Sequence, residues 1–151
     1  MKKVRGTSII VGVALGVLML GARDTSSAPP GYSAYNVQGT YRVTFSGILL
    51  ATGRIESGIG IFTADGAGHL TGTEVFNAGG TVCRDVAITG TYSVGANGIG
   101  ALSADFSGPT PGCSGHFNSA LLVLDGGDVV HASSTDPDFV TIAEEWRRQS
   151  Q

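Results

Sequence analysis

The chain has 151 residues and a formal net charge of −3, a length that suits one domain. Residues 29–151 contain five arginines, no lysine and 11 of the 12 acidic residues, which gives a net charge of −6 with histidine neutral. Affinity for nucleic acids and for anionic membrane surfaces depends on cationic side chains, so this composition argues against both partners.

The first residues have the layout of a secretory signal peptide. A basic start precedes the uncharged apolar run 7–20, and small and polar residues follow. The run is shorter than the roughly 20 residues that a membrane span needs, so an uncleaved anchor is the less favoured alternative. We predict export to the periplasm or the medium, with no membrane association after cleavage. The predicted divisions are a signal peptide over 1–28, a linker over 29–37 and a β-barrel domain over 38–149.

Beyond the linker the chain alternates apolar and polar residues with the period of two that is typical of half-buried strands. The predicted strands are 38–46, 54–63, 69–77, 81–94, 99–106, 116–124, 129–134 and 139–148. The segment 81–94 is either one long strand bent at Gly90 or two short strands. A final helical turn over 141–149 is the alternative to a closing strand.

Two glycine turns link neighbouring strands and repeat each other. Asp65-Gly66 recurs 32 positions later as Asn97-Gly98, and this Asx-Gly pair between apolar runs is a strong hairpin signal. Consecutive strands joined by tight turns predict an all-β fold, an antiparallel up-and-down barrel of about eight or nine strands.

One predicted strand carries an unexplained apolar face. If Phe62 points inward, as its match to Val94 in the repeat implies, then Ile55, Ile59 and Ile61 point outward. Either this parity is wrong, or the face is covered by the N-terminal segment or by a second subunit. We therefore predict that a second copy of this chain is one possible partner, with contacts through the face of Ile55, Ile59 and Ile61.

The chain contains two cysteines, Cys83 and Cys113. In an oxidising compartment such a pair predicts a disulfide, and two buried free thiols are the alternative. No metal site is expected, because histidines at ligand spacing are lacking around them. The stretch 63–74 fits a calcium loop only in part, since Thr63 and Ala67 stand where acidic ligands are required.

No cofactor or catalytic motif stands out. The glycines near Gly58 and Gly66 precede no helix that would hold a phosphate. Surface or rim positions are expected for the three histidines, His69, His116 and His131. Asp136 and Asp138, on either side of Pro137, are expected in a turn, and Glu144 and Glu145 are expected to face solvent.

Glu74 is the one candidate for chemistry. It shares strand parity with Leu70 and Phe76, so its carboxylate is expected on an apolar inward face, where desolvation raises a carboxyl pKa unless an arginine pairs with it. Such a group can transfer protons or anchor a polar ligand end. The alternative is that the strand twists or bulges and Glu74 faces solvent. The predicted ligand-binding residues are Tyr41, Phe45, Leu70, Glu74, Phe76 and Tyr92, with aromatic core filling as the alternative for the rings.

The hairpin phrases around Gly39, Phe62–Gly72 and Gly90 resemble small exported bacterial proteins of unknown function built from FTADGxGxLTG…GTYxV hairpins. That resemblance implies a β-barrel and carries no catalytic residues. More distantly the layout is similar to calycins (lipocalins and avidins) or to allene oxide cyclase-like barrels. Tyr41 stands where lipocalins have tryptophan, and Trp146 is the sole tryptophan, so the avidin set of ligand-stacking tryptophans is lacking.

Three functions follow as hypotheses. The leading one is binding of a small apolar molecule in the barrel lumen. The second is a cyclase or isomerase that uses the same lumen with Glu74 as proton-transfer group. The third is a structural or cell-surface interaction module, which requires a fully packed core.

Overall fold

A computed structural model describes residues 31–150 as a closed antiparallel barrel of eight strands, in which each strand pairs with the next and the last pairs with the first. The predicted all-β up-and-down barrel is therefore confirmed, whereas the calycin-like relationship stays a prediction. The strands are β1 (Gly39–Leu49), β2 (Arg54–Ala64), β3 (His69–Ala78), β4 (Thr81–Val94), β5 (Ile99–Ser107), β6 (Ser114–Leu124), β7 (Val129–Ser134) and β8 (Phe139–Arg148). Two short 3₁₀ turns cover Ala34–Val37 and Asp125–Gly127.

Period-two alternation determines which side chains point into the barrel. Along β1, Tyr41 and Val43 are buried while Arg42 and Thr44 are exposed. The β4 segment is one strand of 14 residues, so the alternative of two short strands is wrong, and its pairing with β3 shifts register opposite Glu74 and Phe76. The last segment forms β8, so the alternative of a final helical turn is wrong.

The two Asx-Gly turns form as the sequence predicts. The Asp65 carboxylate accepts hydrogen bonds from the backbone N–H groups of Ala67 and His69, at 2.7 and 2.9 Å. Gly66 has a φ of +79°, and Gly98 in the repeated turn has +80°. These bonds, led by the one from His69, lower the pKa of Asp65 from 3.8 to about 2. The Asp65 carboxylate therefore stabilises the turn.

One end of the barrel is closed by the residues that precede β1. Val37 is fully buried there, and Arg148 donates hydrogen bonds to the backbone carbonyls of Asn36 and Gly127. Tyr41 Oη donates to the Gly127 carbonyl at 2.7 Å, and the Arg148 guanidinium lies 5.6 Å from the centre of the Tyr41 ring. The described part of the predicted linker is thus packed against the barrel.

We expect Tyr41→Phe to lower the free energy of unfolding by about 1–3 kcal/mol, because it removes a buried hydroxyl that both donates to Gly127 and accepts from Arg148. Urea unfolding followed by circular dichroism measures the change. Tyr35→Phe is the matched control, since Tyr35 is 71% exposed. Equal effects of the two substitutions would contradict the role given to the Tyr41 hydroxyl.

The opposite end carries the disulfide. Cys83 on β4 and Cys113 in the β5–β6 loop are bonded and fully buried, so the predicted pairing is confirmed. Such a bond is typical of an oxidising compartment. The predicted signal peptide, residues 1–28, lies outside the described residues. Among residues 31–150 no helix is long and apolar enough to cross a membrane.

Candidate functional site

The half of the barrel farther from the N-terminal segment contains a cavity of about 370 Å³. It lies towards the loops that join β1 to β2, β5 to β6 and β7 to β8. All six phenylalanines of the chain line it: Phe45, Phe62, Phe76, Phe106, Phe117 and Phe139. Their rings form an apolar wall that is drawn from six different strands.

The side chain of Trp146 closes the barrel below this cavity. It is fully buried, and its ring packs edge-on against Phe62 with 5.3 Å between centroids. Tyr41 packs against it from the closed end, at 6.2 Å. The indole Nε1–H donates to Glu144 Oε1 at 2.9 Å, and Glu144 lines the cavity. The only tryptophan of the chain therefore contacts two residues that line the cavity, through one hydrogen bond and one ring contact, and its fluorescence can report on the cavity.

Glycines on β2 provide space for the side chains on either side. A Cβ atom on Gly58 would overlap the Phe45 ring and lie 2.7 Å from Phe76 Cβ. A Cβ atom on Gly60 would lie 3.0 Å from Glu74 Cβ. Gly60 is the register partner of Glu74 and Gly58 that of Phe76. The inward glycines of β2 thus leave room for a carboxyl group and two rings.

Glu74 keeps its inward parity and lines the cavity, so the alternative that it faces solvent is wrong. The register shift beside it places the extra residue on β4, which leaves the direction of Glu74 unchanged. Burial, followed by the charges of Glu144 and Glu56, raises the pKa of Glu74 from 4.5 to about 7. No arginine of the described chain forms an ion pair with it.

Two further glutamates share the cavity with Glu74, and the sequence interpretation missed both. Glu56 lies on β2 and Glu144 on β8, and burial raises the pKa of each carboxyl. The expectation that Glu144 faces solvent is wrong. Neighbouring residues of a strand point to opposite faces, so Glu144 faces in beside Trp146 while Glu145 faces out and pairs with Arg147 at 2.6 Å. The inward parity of Trp146 was the available signal.

The cavity includes three of the six side chains that the sequence suggests for ligand binding, namely Phe45, Glu74 and Phe76. The other three lie in the half of the barrel next to residues 32–37, which side chains fill and which we call the packed half; the half with the cavity is the open half. Tyr41 and Leu70 are fully buried there, and the Tyr92 hydroxyl donates to Ala34 and accepts from Gly66 N. Strand parity identifies inward residues but does not distinguish the packed half from the open half.

The structure also brings together a serine, a histidine and an aspartate on the outer face of β5 and β6. Ser103 Oγ lies 3.2 Å from His116 Nε2, and His116 Nδ1 lies 2.8 Å from Asp105 Oδ1. Hydrolysis by such a group needs a water-excluded pocket with oxyanion donors. Here the side chains of His116 and Asp105 are 49% and 78% exposed, so this trio is a surface hydrogen-bond network.

The outward parity of the isoleucines on β2 is confirmed. Ile55 and Ile59 are 64% and 65% exposed, and Ile59 pairs across strands with Val75, which is also exposed. Residues 32–37 pack at the closed end and not over this face. Of the two coverings considered, the described part of the N-terminal segment is thus excluded, and the homo-oligomer stays a prediction.

Comparison with models of known families, with curated proteins and with solved structures finds no match to this chain. The resemblance to exported hairpin-repeat proteins and to calycins therefore stays a prediction. The candidate site is therefore defined by the cavity alone. Six phenylalanine rings line it, Trp146 closes it from below, and the Glu74 carboxyl, which has a raised pKa, lacks an ion-pair partner among the described residues.

Proposed function

We propose that this chain is an exported binding protein that holds a small, mostly apolar molecule in the open half of its barrel. The observation that carries the proposal is the cavity of about 370 Å³ lined by all six phenylalanines. Small-molecule pockets are concave, mostly apolar, and range from roughly 300 to 1,000 Å³. Unfilled apolar space costs stability, so a chain that keeps such a space open forgoes packing that Phe, Leu or Ile would supply.

Export is part of the same proposal. The signal peptide layout at residues 1–28 directs the chain out of the cytoplasm, and the Cys83–Cys113 bond is suited to an oxidising compartment. The bond anchors the β5–β6 loop, whose Gly112 borders the cavity. A carrier or scavenger of an apolar molecule outside the cytoplasm is consistent with both features.

The proposal is tested by native mass spectrometry of the exported protein, with Ser119→Leu as the cavity-filling variant. Ser119 is 3% exposed and lines the cavity, so a leucine there occupies ligand space. Ala120→Leu is the matched control, because the neighbouring position on β6 has the opposite parity. We expect a co-purified small molecule on the wild type and on Ala120→Leu, and its loss from Ser119→Leu.

Circular dichroism of Ser119→Leu serves as the folding control, and a spectrum that matches wild type is expected. A wild-type protein that carries no small molecule, or equal loading of all three proteins, would contradict the proposal. The same result would favour the third hypothesis, an interaction module whose surface and not its interior carries the function.

A second candidate, an isomerase or cyclase, is favoured by one observation. Glu74 faces the cavity with a pKa of about 7, close to the value that suits a group that both takes and gives a proton at neutral pH. In an isomerisation its carboxylate would remove a proton from one ligand carbon and return it to another, with no change in composition.

Deuterium exchange separates the binder from the enzyme. The co-purified molecule is incubated with wild type or with Glu74→Gln in deuterated buffer and returned to ordinary water, which removes deuterium from N–H and O–H groups, and its mass is then measured. A binding protein leaves this mass unchanged, because no deuterium is attached to ligand carbon with either protein. Incorporation of deuterium with wild type but not with Glu74→Gln would show that the cavity performs proton transfer.

A further inference from the structure

The cavity walls carry acidic side chains without a cationic partner. Five acidic side chains line the cavity: Glu56, Glu74, Asp136, Asp138 and Glu144. Among the residues that the structure describes, none of the lining side chains is an arginine or a lysine. The nearest imidazole is that of His116 at the rim, and it is engaged with Asp105 on the outer face.

Local donors satisfy only some of these carboxylates. Asp136 accepts from the backbone N–H and the side-chain amide of Asn118, at 2.8 and 2.9 Å, and Glu144 accepts from Trp146. For Glu56 and Glu74, no hydrogen bond or opposite charge from residues 31–150 offsets the cost of burial. A buried carboxylate is costly unless it is paired, so this arrangement favours a positively charged occupant.

The aromatic wall favours the same kind of occupant. Ring faces attract cations, and this attraction strengthens when the cation is desolvated. Three ring contacts link members of the wall, between Phe45 and Phe76, Phe76 and Phe106, and Phe106 and Phe117, with centroids 5.8–6.3 Å apart. A molecule in the cavity therefore meets aromatic carbon on its sides and carboxyl groups at β2, β3 and β8.

We infer that the ligand of this cavity is an organic ammonium ion with an apolar body, held by Glu74 and its neighbouring carboxylates and enclosed by the phenylalanine wall. The inference rests on the proposed function, since it specifies the chemistry of the molecule that the cavity binds. A bare metal ion is disfavoured, because no three acidic, histidine or cysteine side chains of the described chain are arranged to hold one.

A matched octyl series tests the inference through the fluorescence of Trp146. Octylammonium, 1-octanol and octanoate share one apolar body and differ in charge. At pH 8 we expect octylammonium to bind about tenfold or more tightly than 1-octanol, because charge-assisted hydrogen bonds exceed neutral ones, and octanoate to bind most weakly.

Acidification provides a second readout. Octylammonium stays charged between pH 5 and pH 8, so a change in its affinity reports on the protein. The groups that face Glu74 are Glu56 from β2, Glu144 from β8, the two aspartates of the β7–β8 loop and His116 at the rim of β6. Burial raises the pKa of Glu56, Glu74 and Glu144, so acidification towards pH 5 reduces the negative charge of these three carboxyls. The preference for octylammonium over 1-octanol is therefore expected to fall.

Glu74→Gln should lower octylammonium affinity by about tenfold at pH 8 and leave 1-octanol affinity unchanged. Glu145→Gln, which changes a carboxylate on the outer face of β8, is the control and should alter neither. Binding of 1-octanol or octanoate as tight as that of octylammonium would overturn the inference and leave the proposed function intact. Failure of all three compounds to bind would overturn both.

Discussion

Glu74→Gln is expected to raise the free energy of unfolding at pH 8 by as much as about 3 kcal/mol and to leave it nearly unchanged at pH 4.5. Burial and two neighbouring glutamates raise the pKa of Glu74 from 4.5 to about 7. In the window between those values the folded protein keeps a proton that the unfolded chain has lost. Wild-type stability therefore decreases as the pH rises through this window, and glutamine removes that decrease.

The measurement is a series of urea unfolding curves between pH 4.5 and pH 8. Glu56 and Glu144 also have raised pKa values, so part of the pH dependence remains in the variant. Glu145→Gln is the matched control on the same barrel, since the hydrogen bond from Arg147 lowers the pKa of Glu145. Glu145→Gln should not raise the free energy of unfolding at pH 8. A Glu74→Gln protein that loses as much stability with rising pH as wild type would contradict the inward, unpaired carboxyl.

Loss of the disulfide is the second large effect. The double variant Cys83→Ser/Cys113→Ser should lower the free energy of unfolding by about 3–4 kcal/mol, because the bond closes a loop across a separation of 30 residues and restricts the unfolded chain. The loss should also free the β5–β6 loop at the cavity edge, where Gly112 lies. Ligand affinity is therefore expected to fall together with stability.

Wild-type protein treated with a reducing agent is the comparison, since it breaks the bond without placing serine hydroxyls at two fully buried positions. Both samples are unfolded in urea beside oxidised wild type. Equal urea midpoints for oxidised and reduced wild type would show that the bond contributes nothing to the stability of the barrel.

The fold was predictable because alternation and turn residues are local. Phe62 and Glu74 point inward as period-two reasoning requires, and Gly66 and Gly98 adopt the positive φ that their turns need. Strand ends were less predictable. The first strand extends to Leu49, past the point where the pairing of β1 with β8 shifts register between Ser46 and Gly47.

The site was predictable only in part, because its shape depends on contacts between distant residues. The closed end forms when Arg148 reaches the carbonyl of Asn36, 112 positions away in the sequence. That closure separates Tyr41, in the packed half, from Phe45 in the open half, although both have inward parity on β1. The inward direction of Glu144 follows from its parity with Trp146, but its place at the cavity depends on where β8 passes the open half, which no local pattern reveals.

The central claim is that the open half of the barrel binds a small, mostly apolar molecule. Its most direct test is nuclear magnetic resonance of protein labelled in its phenylalanine and tyrosine rings, titrated with 1-octanol. Every phenylalanine lines the cavity, whereas none of the four tyrosines does. We expect saturable shifts of the phenylalanine signals and contacts from those rings to the octyl chain, with tyrosine signals unchanged. Phenylalanine signals that do not move, or that move no more than those of tyrosine, would contradict the claim.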